Sequence, residues 1–119
     1  ACLSEFAREK SALLKEYVKA VIHALCLMTR SREEALQIVS GEPMKRMKIQ
    51  DRKELERQFD SIAEGLKIKP YPSPDAIANT YEIATLEYPG AKGLNPLSLW
   101  DLHWVKELDD QGVIDGLSR

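Results

Sequence analysis

The longest apolar pattern of the chain lies at residues 11–29, SALLKEYVKAVIHALCLMT. Apolar residues recur there at the i, i+3, i+4, i+7 spacing of one helical face: Leu14, Tyr17, Val18, Val21, Ile22, Leu25 and Met28. A second row widens this face beyond half of the circumference: Leu13, Ala20, Ala24 and Leu27. The polar strip that remains is narrow: Lys15, Glu16, Lys19 and His23. The pattern predicts a central core helix, about 27 Å long and wrapped by other helices, without chemistry of its own.

Five further helices are predicted around it. Their predicted ranges are 5–9, 32–39, 51–66, 74–87 and 101–111. A residue type that caps helices well stands at or just before the start of each: Ser4, Ser31, Asp51, Ser73 and Asp101, with Ser11 at the start of the central helix. Glu34 and Glu54 complete capping boxes with Ser31 and Asp51. Leu3 and Phe6 are predicted to point at the central helix.

Two of these helices carry apolar rows that predict a buried side. The rows are Leu55, Phe59, Ile62, Ala63 and Leu66 in one helix, and Ile77, Thr80, Tyr81, Ala84 and Tyr88 in the next. Loops are predicted at 42–50, which contains Pro43, and at 68–73, where three prolines favour extended backbone. Asn95-Pro96 predicts a single turn, and Gly112 ends the last helix. Because no alternating strand pattern is present, the prediction is all-α, with about six helices around residues 11–29 in one domain, 1–119.

Composition excludes several classes of partner. The chain has 119 residues, 44% of them apolar, and a net charge of −2, which is typical of a single globular domain. This charge predicts no strong attraction to nucleic acid or to an anionic membrane. Charged residues interrupt the longest apolar run, so no membrane span is predicted. No signal-peptide pattern is visible, but the sequence begins at Ala1 instead of methionine, so the compartment stays open.

The sequence contains no pattern that carries known chemistry. Nucleotide-binding glycine motifs, GxSxG, HExxH and CxxC are all missing. Cys2 and Cys26 are predicted to be free thiols, and His23 and His103 have no second ligand at metal-binding spacing. We therefore predict no catalytic, cofactor-binding or metal-binding residue, no cofactor, and no enzyme; ligand-binding residues stay unknown.

Three groups of residues allow a binding interpretation beside a structural one. Trp100 and Trp104 are predicted to share a helix face with Leu108, where they would either stack on a planar ligand or close the end of the core. Tyr71, between two prolines, would meet a partner or pack in a rigid turn. The basic residues of the 42–50 loop would meet an anion or stay solvated: Lys45, Arg46 and Lys48. The structural interpretation is favoured for each group.

The order of the segments resembles the C-terminal part of the periplasmic substrate-binding proteins of ABC importers, of the nitrate, sulfonate and taurine type. Residues 3–9 (LSEFARE) and 13–20 (LLKEYVKA) are similar to a short segment and the long helix that follows it in that family. Residues 31–36 (SREEAL) resemble its next helix. The most specific likeness is 69–77 (KPYPSPDAI), which looks like the family's extended linker and the helix after it. The segment 104–115 resembles the final helix and its end.

This resemblance implies a helical remnant of a larger fold. Family members are two-lobed α/β proteins of roughly three hundred residues that hold their ligand between the lobes, and no strand of those lobes is visible here. No binding residue is therefore carried over. The chain would be a proteolytic product, an excised segment or a truncated gene product. As part of a binding protein it would be extracytoplasmic and serve an importer permease; as a product on its own, without a signal peptide, it would be cytoplasmic.

Two functions follow as hypotheses: structural support within a solute-binding protein, or an independent helical module for protein–protein contact. Three expectations accompany them. The chain alone should not bind nitrate, sulfonates or taurine more tightly than about 10 µM, roughly −7 kcal/mol. Leu25→Ala or Val21→Ala should cost a few kcal/mol, about 2–5 for a buried leucine, and Lys19→Ala under about 0.5. Apolar helix faces left uncovered should make the chain a homo-oligomer.

Overall fold

The chain folds as helices joined by loops in the computed structural model, which describes residue 2 and residues 4–117, with only the backbone of residue 99. The α-helices are α1 (Ser4–Glu9), α2 (Ser11–Arg30), α3 (Arg32–Val39), α4 (Glu42–Arg46), α5 (Arg52–Gly65), α6 (Pro74–Glu87), α7 (His103–Asp110) and α8 (Val113–Leu117). Two 3₁₀ helices, Pro89–Gly93 and Pro96–Leu99, connect α6 to α7. The all-α prediction is confirmed for the described residues, which form eight α-helices instead of about six; Leu3 lies outside them.

Two apolar clusters form the core, and α2 lies against both. The α7 cluster contains Ile22, Val105, Leu108 and Ile114. The α5 cluster contains Ala35, Leu36, Leu55 and Phe59, with Leu27 and Met28 of α2 packed on it. The central position of α2 is therefore as predicted. Within α5, Leu55 and Phe59 are buried as expected, whereas Ile62 is 57% exposed.

Other helices wrap only part of the apolar face of α2, and the placing of Val21 in the core is wrong. Only Ile22 and Cys26 of this helix are buried. Val21 is 39% exposed, and Leu13 and Tyr17 are more exposed still; Leu25 is half-buried. The reason is that the neighbours of α2 are short helices, which cover one side of it and its C-terminal end. A second side of α2 is left to solvent.

The predicted caps are confirmed at two helices. The Asp51 carboxylate accepts a hydrogen bond from the Lys53 amide, and Ser73 Oγ accepts one from the Ala76 amide. Ser31 does precede α3, but its side chain makes no capping hydrogen bond. At α2 the cap position belongs to Lys10, because the backbone continues from α1 with only one residue between the helices.

Two predicted cap residues have other roles. Ser11 lies inside α2, and its Oγ accepts a hydrogen bond from Trp104 Nε1 (3.2 Å). Asp101 lies one residue before the cap position of α7, which is Leu102. Its carboxylate still accepts a hydrogen bond from the His103 amide (3.2 Å). Ser4 is the first residue of α1 and does not precede it.

Two short helices were missed by the sequence patterns. Within the predicted loop 42–50, α4 forms because Pro43 at its start has the fixed φ of a helical first turn. It ends where Lys48 adopts a positive φ of 57°. Gly112 (φ 71°) does end α7, as predicted, but its left-handed conformation turns the chain directly into α8.

Residues 74–99, hereafter the arm, stand out from the rest of the molecule. The arm consists of α6 and the two 3₁₀ helices, against which α6 mainly packs. No side chain of α6 is fully buried; in its predicted inner row, Ile77, Tyr81 and Ala84 are half-buried while Thr80 and Tyr88 are exposed. The radius of gyration is 17.0 Å, whereas a compact chain of this length has about 13–14 Å. The molecule is thus open on the side of the arm.

Candidate functional site

A groove of about 1030 Å³ separates the arm from the helices around α2. One wall is the inner side of α6, and the other is formed by α1 and the first residues of α2. The segment from Pro96 to Trp104 closes one end. The groove exists because α6 is held at its ends by loops and does not pack on α2.

Aromatic and aliphatic side chains supply most of the lining. Trp100, Trp104 and Tyr81 are its aromatic members, and Ile77 and Ala84 add aliphatic surface from α6. The Tyr81 hydroxyl donates to the carbonyl of Ala91 (3.1 Å) and so ties α6 to the first 3₁₀ helix. Trp104 is buried, while Trp100 is 38% exposed. Trp100 therefore offers its ring surface to whatever enters the groove.

The sequence prediction for the two tryptophans holds for one of them. Trp104 and Leu108 are buried on one face of α7; Leu108 belongs to the α7 cluster, and Trp104 lies beside the groove. Trp100 follows the second 3₁₀ helix and precedes α7, so it does not share that face. Pro96 keeps the preceding residues in a separate turn, and the helical spacing of four therefore does not apply.

Asp101 and His103 form a close polar pair at the rim of the groove. Asp101 Oδ1 lies 2.6 Å from His103 Nδ1. This hydrogen bond, against some desolvation, lowers the pKa of the Asp101 carboxyl. The imidazole ring lies against Trp104, with 3.7 Å between the ring centroids. Among the described residues, Nε2 of His103 has no hydrogen-bond partner, so the pair presents a fixed imidazole with one free nitrogen.

The hydroxyls that line the groove are largely committed to the protein itself. Thr80 Oγ1 donates to the Ala76 carbonyl (2.8 Å), and Ser98 Oγ donates to the Asn95 carbonyl (2.7 Å). Ser11 Oγ accepts from Trp104 Nε1, which leaves its own proton to donate. Arg8 is the one full positive charge of the described lining, and no carboxylate in the described part of the chain lies within 4 Å of it. The groove therefore offers a ligand more hydrogen-bond donors than hydrogen-bond acceptors.

A second surface is the row of exposed residues on α2, hereafter the outer row. Its members lie on the side of the helix away from Ile22: Leu13, Tyr17, Ala20, Val21 and Ala24. The spacing of three and four residues places them next to one another. Leu13 and Tyr17 are 60% and 65% exposed. This surface is apolar and unpartnered within the described chain.

The other candidate residues lie away from both surfaces. Tyr71 is 36% exposed, and its hydroxyl donates to the carboxylate of Asp109 on α7 (3.0 Å). Lys69 reaches the same carboxylate (2.7 Å) and that of Asp115 (3.0 Å). These bonds lower the pKa of Asp109, Lys69 contributing most. The turn is thereby fixed to α7 and α8.

The basic residues of 42–50 line no deep site. Lys45 pairs with Glu42 on α4 (3.0 Å), and Arg46 borders only a smaller depression of about 520 Å³. Cys2 is exposed and Cys26 buried, and both are free thiols, as predicted. Cys26 Sγ donates to the Leu117 carbonyl (3.0 Å).

Sequence reasoning missed the groove because its walls are distant in the chain. Ser11 and Trp104 are hydrogen-bonded across more than ninety positions, and no local pattern encodes such a pairing. The only local signal was the Asp101-x-His103 spacing, which allows a carboxylate to accept from an amide and an imidazole two residues later.

Comparison with models of known families, with curated proteins and with solved structures finds no match for this chain. No helix in the part of the chain that the structure describes is both long enough and apolar enough to span a membrane. The described residues contain no group of three or more metal-ligating side chains.

Proposed function

We propose that this chain works through protein–protein contact, as a helical module whose apolar faces are covered by a second copy of itself. The supporting observation is its surface area of 8950 Å². A typical monomer of 13.5 kDa exposes about 6500 Å². The excess of about 2400 Å² is larger than the roughly 800 Å² that each partner buries in a standard interface.

The outer row of α2 is the surface that fits this partner. It is apolar along about 17 Å of helix, with no charged residue among its members. A two-fold axis placed over the row would bring Leu13 and Tyr17 of one chain against the same row of the other, which is the self-complementary arrangement of symmetric dimers. Tyrosine is among the residues that contribute most at such interfaces.

Sedimentation equilibrium at about 100 µM tests this proposal. We expect the mass of a dimer for the natural chain and that of a monomer for the double variant Tyr17→Glu/Val21→Glu, because two buried charges per chain would oppose association. His23→Glu, an exposed change on the same helix outside the row, is the matched control and should remain dimeric. A natural chain that sediments at 13.5 kDa at this concentration would overturn the proposal.

The resemblance to solute-binding proteins supports a second proposal, in which the same faces lie on a lobe of a longer chain. Residues 66–73 are non-helical and lead directly into α6, as the family's linker leads into its helix. The chain would then be structural support within a solute-binding protein, and an importer permease would be the partner of the whole protein. An intact mass of the protein from its source near that of three hundred residues supports this proposal, and a mass of 13.5 kDa contradicts it.

A further inference from the structure

We propose that the groove between the arm and α1 binds a planar aromatic molecule with one anionic group, of the class of the aromatic carboxylates. This inference goes beyond the proposed function, because the groove and the outer row of α2 are separate surfaces. It rests on three features of the groove: its aromatic lining, the unpaired guanidinium of Arg8 and its size.

The lining selects for a flat, apolar molecule. Trp100 and Tyr81 present aromatic rings from two different segments, and Ile77 adds an aliphatic contact from α6. Aromatic rings pack on one another in offset or edge-to-face geometry, and indole gives the largest contact area for such packing. Because Trp100 is 38% exposed, a ligand ring that covers it would remove apolar surface from water. A bare inorganic anion would gain nothing from these contacts.

The charge of the groove selects for an anion. Arg8 has no carboxylate partner within the described chain, whereas Asp101, the one acidic side chain of the described lining, already accepts two hydrogen bonds from His103. Both of these bonds are accepted by Oδ1 of Asp101, and the carboxylate keeps its charge, whereas the guanidinium of Arg8 has no hydrogen bond or ion pair within the described chain and is available to a ligand. A guanidinium binds a carboxylate through two parallel hydrogen bonds, and the proton of Ser11 supplies a further donor nearby.

The volume suits an organic ligand. Pockets that hold small molecules measure about 300–1000 Å³, and the groove, at about 1030 Å³, lies at the upper end of that range. Two fused aromatic rings with a carboxylate fit without any opening of the arm. Within the arm, the Tyr81 hydroxyl donates to the Ala91 carbonyl and ties α6 to the first 3₁₀ helix, so the arm itself holds the Tyr81 ring in this wall.

Titration calorimetry with 2-naphthoate tests the proposal in the natural chain. We expect saturable binding with a Kd below about 1 mM, and binding of the uncharged amide, 2-naphthamide, about tenfold weaker because it cannot pair with Arg8. Taurine, an acid without a ring, should show no saturable binding. Equal affinity for the acid and the amide, or no saturable binding of 2-naphthoate, would overturn the proposal.

The chain contains two tryptophans, both in the groove, and they report where the probe binds. We expect 2-naphthoate to shift the indole N–H signal of Trp100 in nuclear magnetic resonance spectra. Arg8→Ala should weaken the acid about tenfold and leave the amide unchanged, while Lys10→Ala, an equal change of charge two residues away, should affect neither. Binding that leaves both indole signals in place, or that is indifferent to Arg8→Ala, would contradict the assignment. The oligomeric state of the chain is measured separately by sedimentation. A monomeric result would therefore contradict the proposed dimer without contradicting ligand binding in the groove.

Discussion

Val21 and Ile22 are neighbours in the chain but lie in opposite environments. Ile22 is 1% exposed within the α7 cluster, whereas Val21 is 39% exposed in the outer row. Helical periodicity grouped both residues into one apolar face, because more than half of α2 is apolar. Which part of such a face is covered depends on where α7 and α8 pack, and no residue of α2 encodes that. This is why the sequence identified the helix but assigned Val21 to the core.

We predict that Ile22→Ala lowers the free energy of unfolding by about 2–4 kcal/mol, since it removes a side chain packed on all sides. Val21→Ala should cost less than about 1 kcal/mol in the monomer. Urea denaturation of both variants at low protein concentration measures the two values. A larger loss for Val21→Ala would mean that the outer row is buried within one chain.

A second prediction at this scale concerns Asp109. Its folded pKa is held below the ordinary 3.8 by Lys69 and Tyr71, so the stabilisation is present above pH 3.8 and is lost as the pH falls through the folded pKa. Asp109→Asn should therefore lower Tm at pH 7, and the difference from the natural chain should shrink as the pH falls below 3.8 and through the folded pKa. Asp110→Asn, on the solvent side of the same helix, is the control and should change Tm little at either pH. A difference that persists unchanged in acid would contradict the charge-based explanation.

The sequence around its start predicted the helix α6 more directly than any other helix. The same sequence carries the least information about where α6 packs. Ser73 and Pro74 define its start, and the structure confirms the cap. Its apolar row, however, predicted burial on a core, while the side chains of Ile77 and Tyr81 instead line the groove. Capping and proline geometry act within one turn of a helix, whereas docking depends on surfaces from distant residues. The same contrast explains why α4 and α8, each five residues long, escaped a search for periodicity.

We predict that amide protons in the middle of α6 exchange with solvent faster than those of α2 or α7, because few buried apolar contacts oppose local opening. Ser73→Ala should accelerate exchange in α6 about fivefold, which corresponds to about 1 kcal/mol for a lost cap, and leave α5 unaffected. Ser40→Ala, an exchange of the same residue type after α3, is the control and should not change α6. Mass spectrometry of peptides from the exchanged protein distinguishes these cases. Uniform acceleration throughout the chain would show that α6 opens only with the whole molecule.

At the scale of the whole molecule, the core is divided. The α7 cluster and the α5 cluster share α2 but no buried side chain. Composition and length predicted one domain with one core, since they report how much apolar material is present and not how it is distributed. The division and the open shape follow from the shortness of the helices that flank α2.

We predict that the two clusters can open separately. Phe59→Ala should increase hydrogen exchange in α3 and α5 by more than about a hundredfold, as expected for a loss of about 3–5 kcal/mol, while α7 and α8 change much less. Leu108→Ala should give the reverse pattern. If either variant accelerates exchange equally in both clusters, the molecule unfolds as one cooperative unit. That result would contradict the prediction that the two clusters open separately.

The two clusters share the helix α2 but no buried side chain. This division of the core affects which substitutions the sequence can accumulate together during evolution. A change of side-chain volume at Leu36 can be compensated at Phe59, and one at Ile22 can be compensated at Leu108, but neither pair senses the other. Among descendants of this chain, substitutions should therefore be correlated within a cluster and independent between clusters. Within α2, Val18 and Ile22 should vary with the α7 cluster, and Leu27 and Met28 with the α5 cluster.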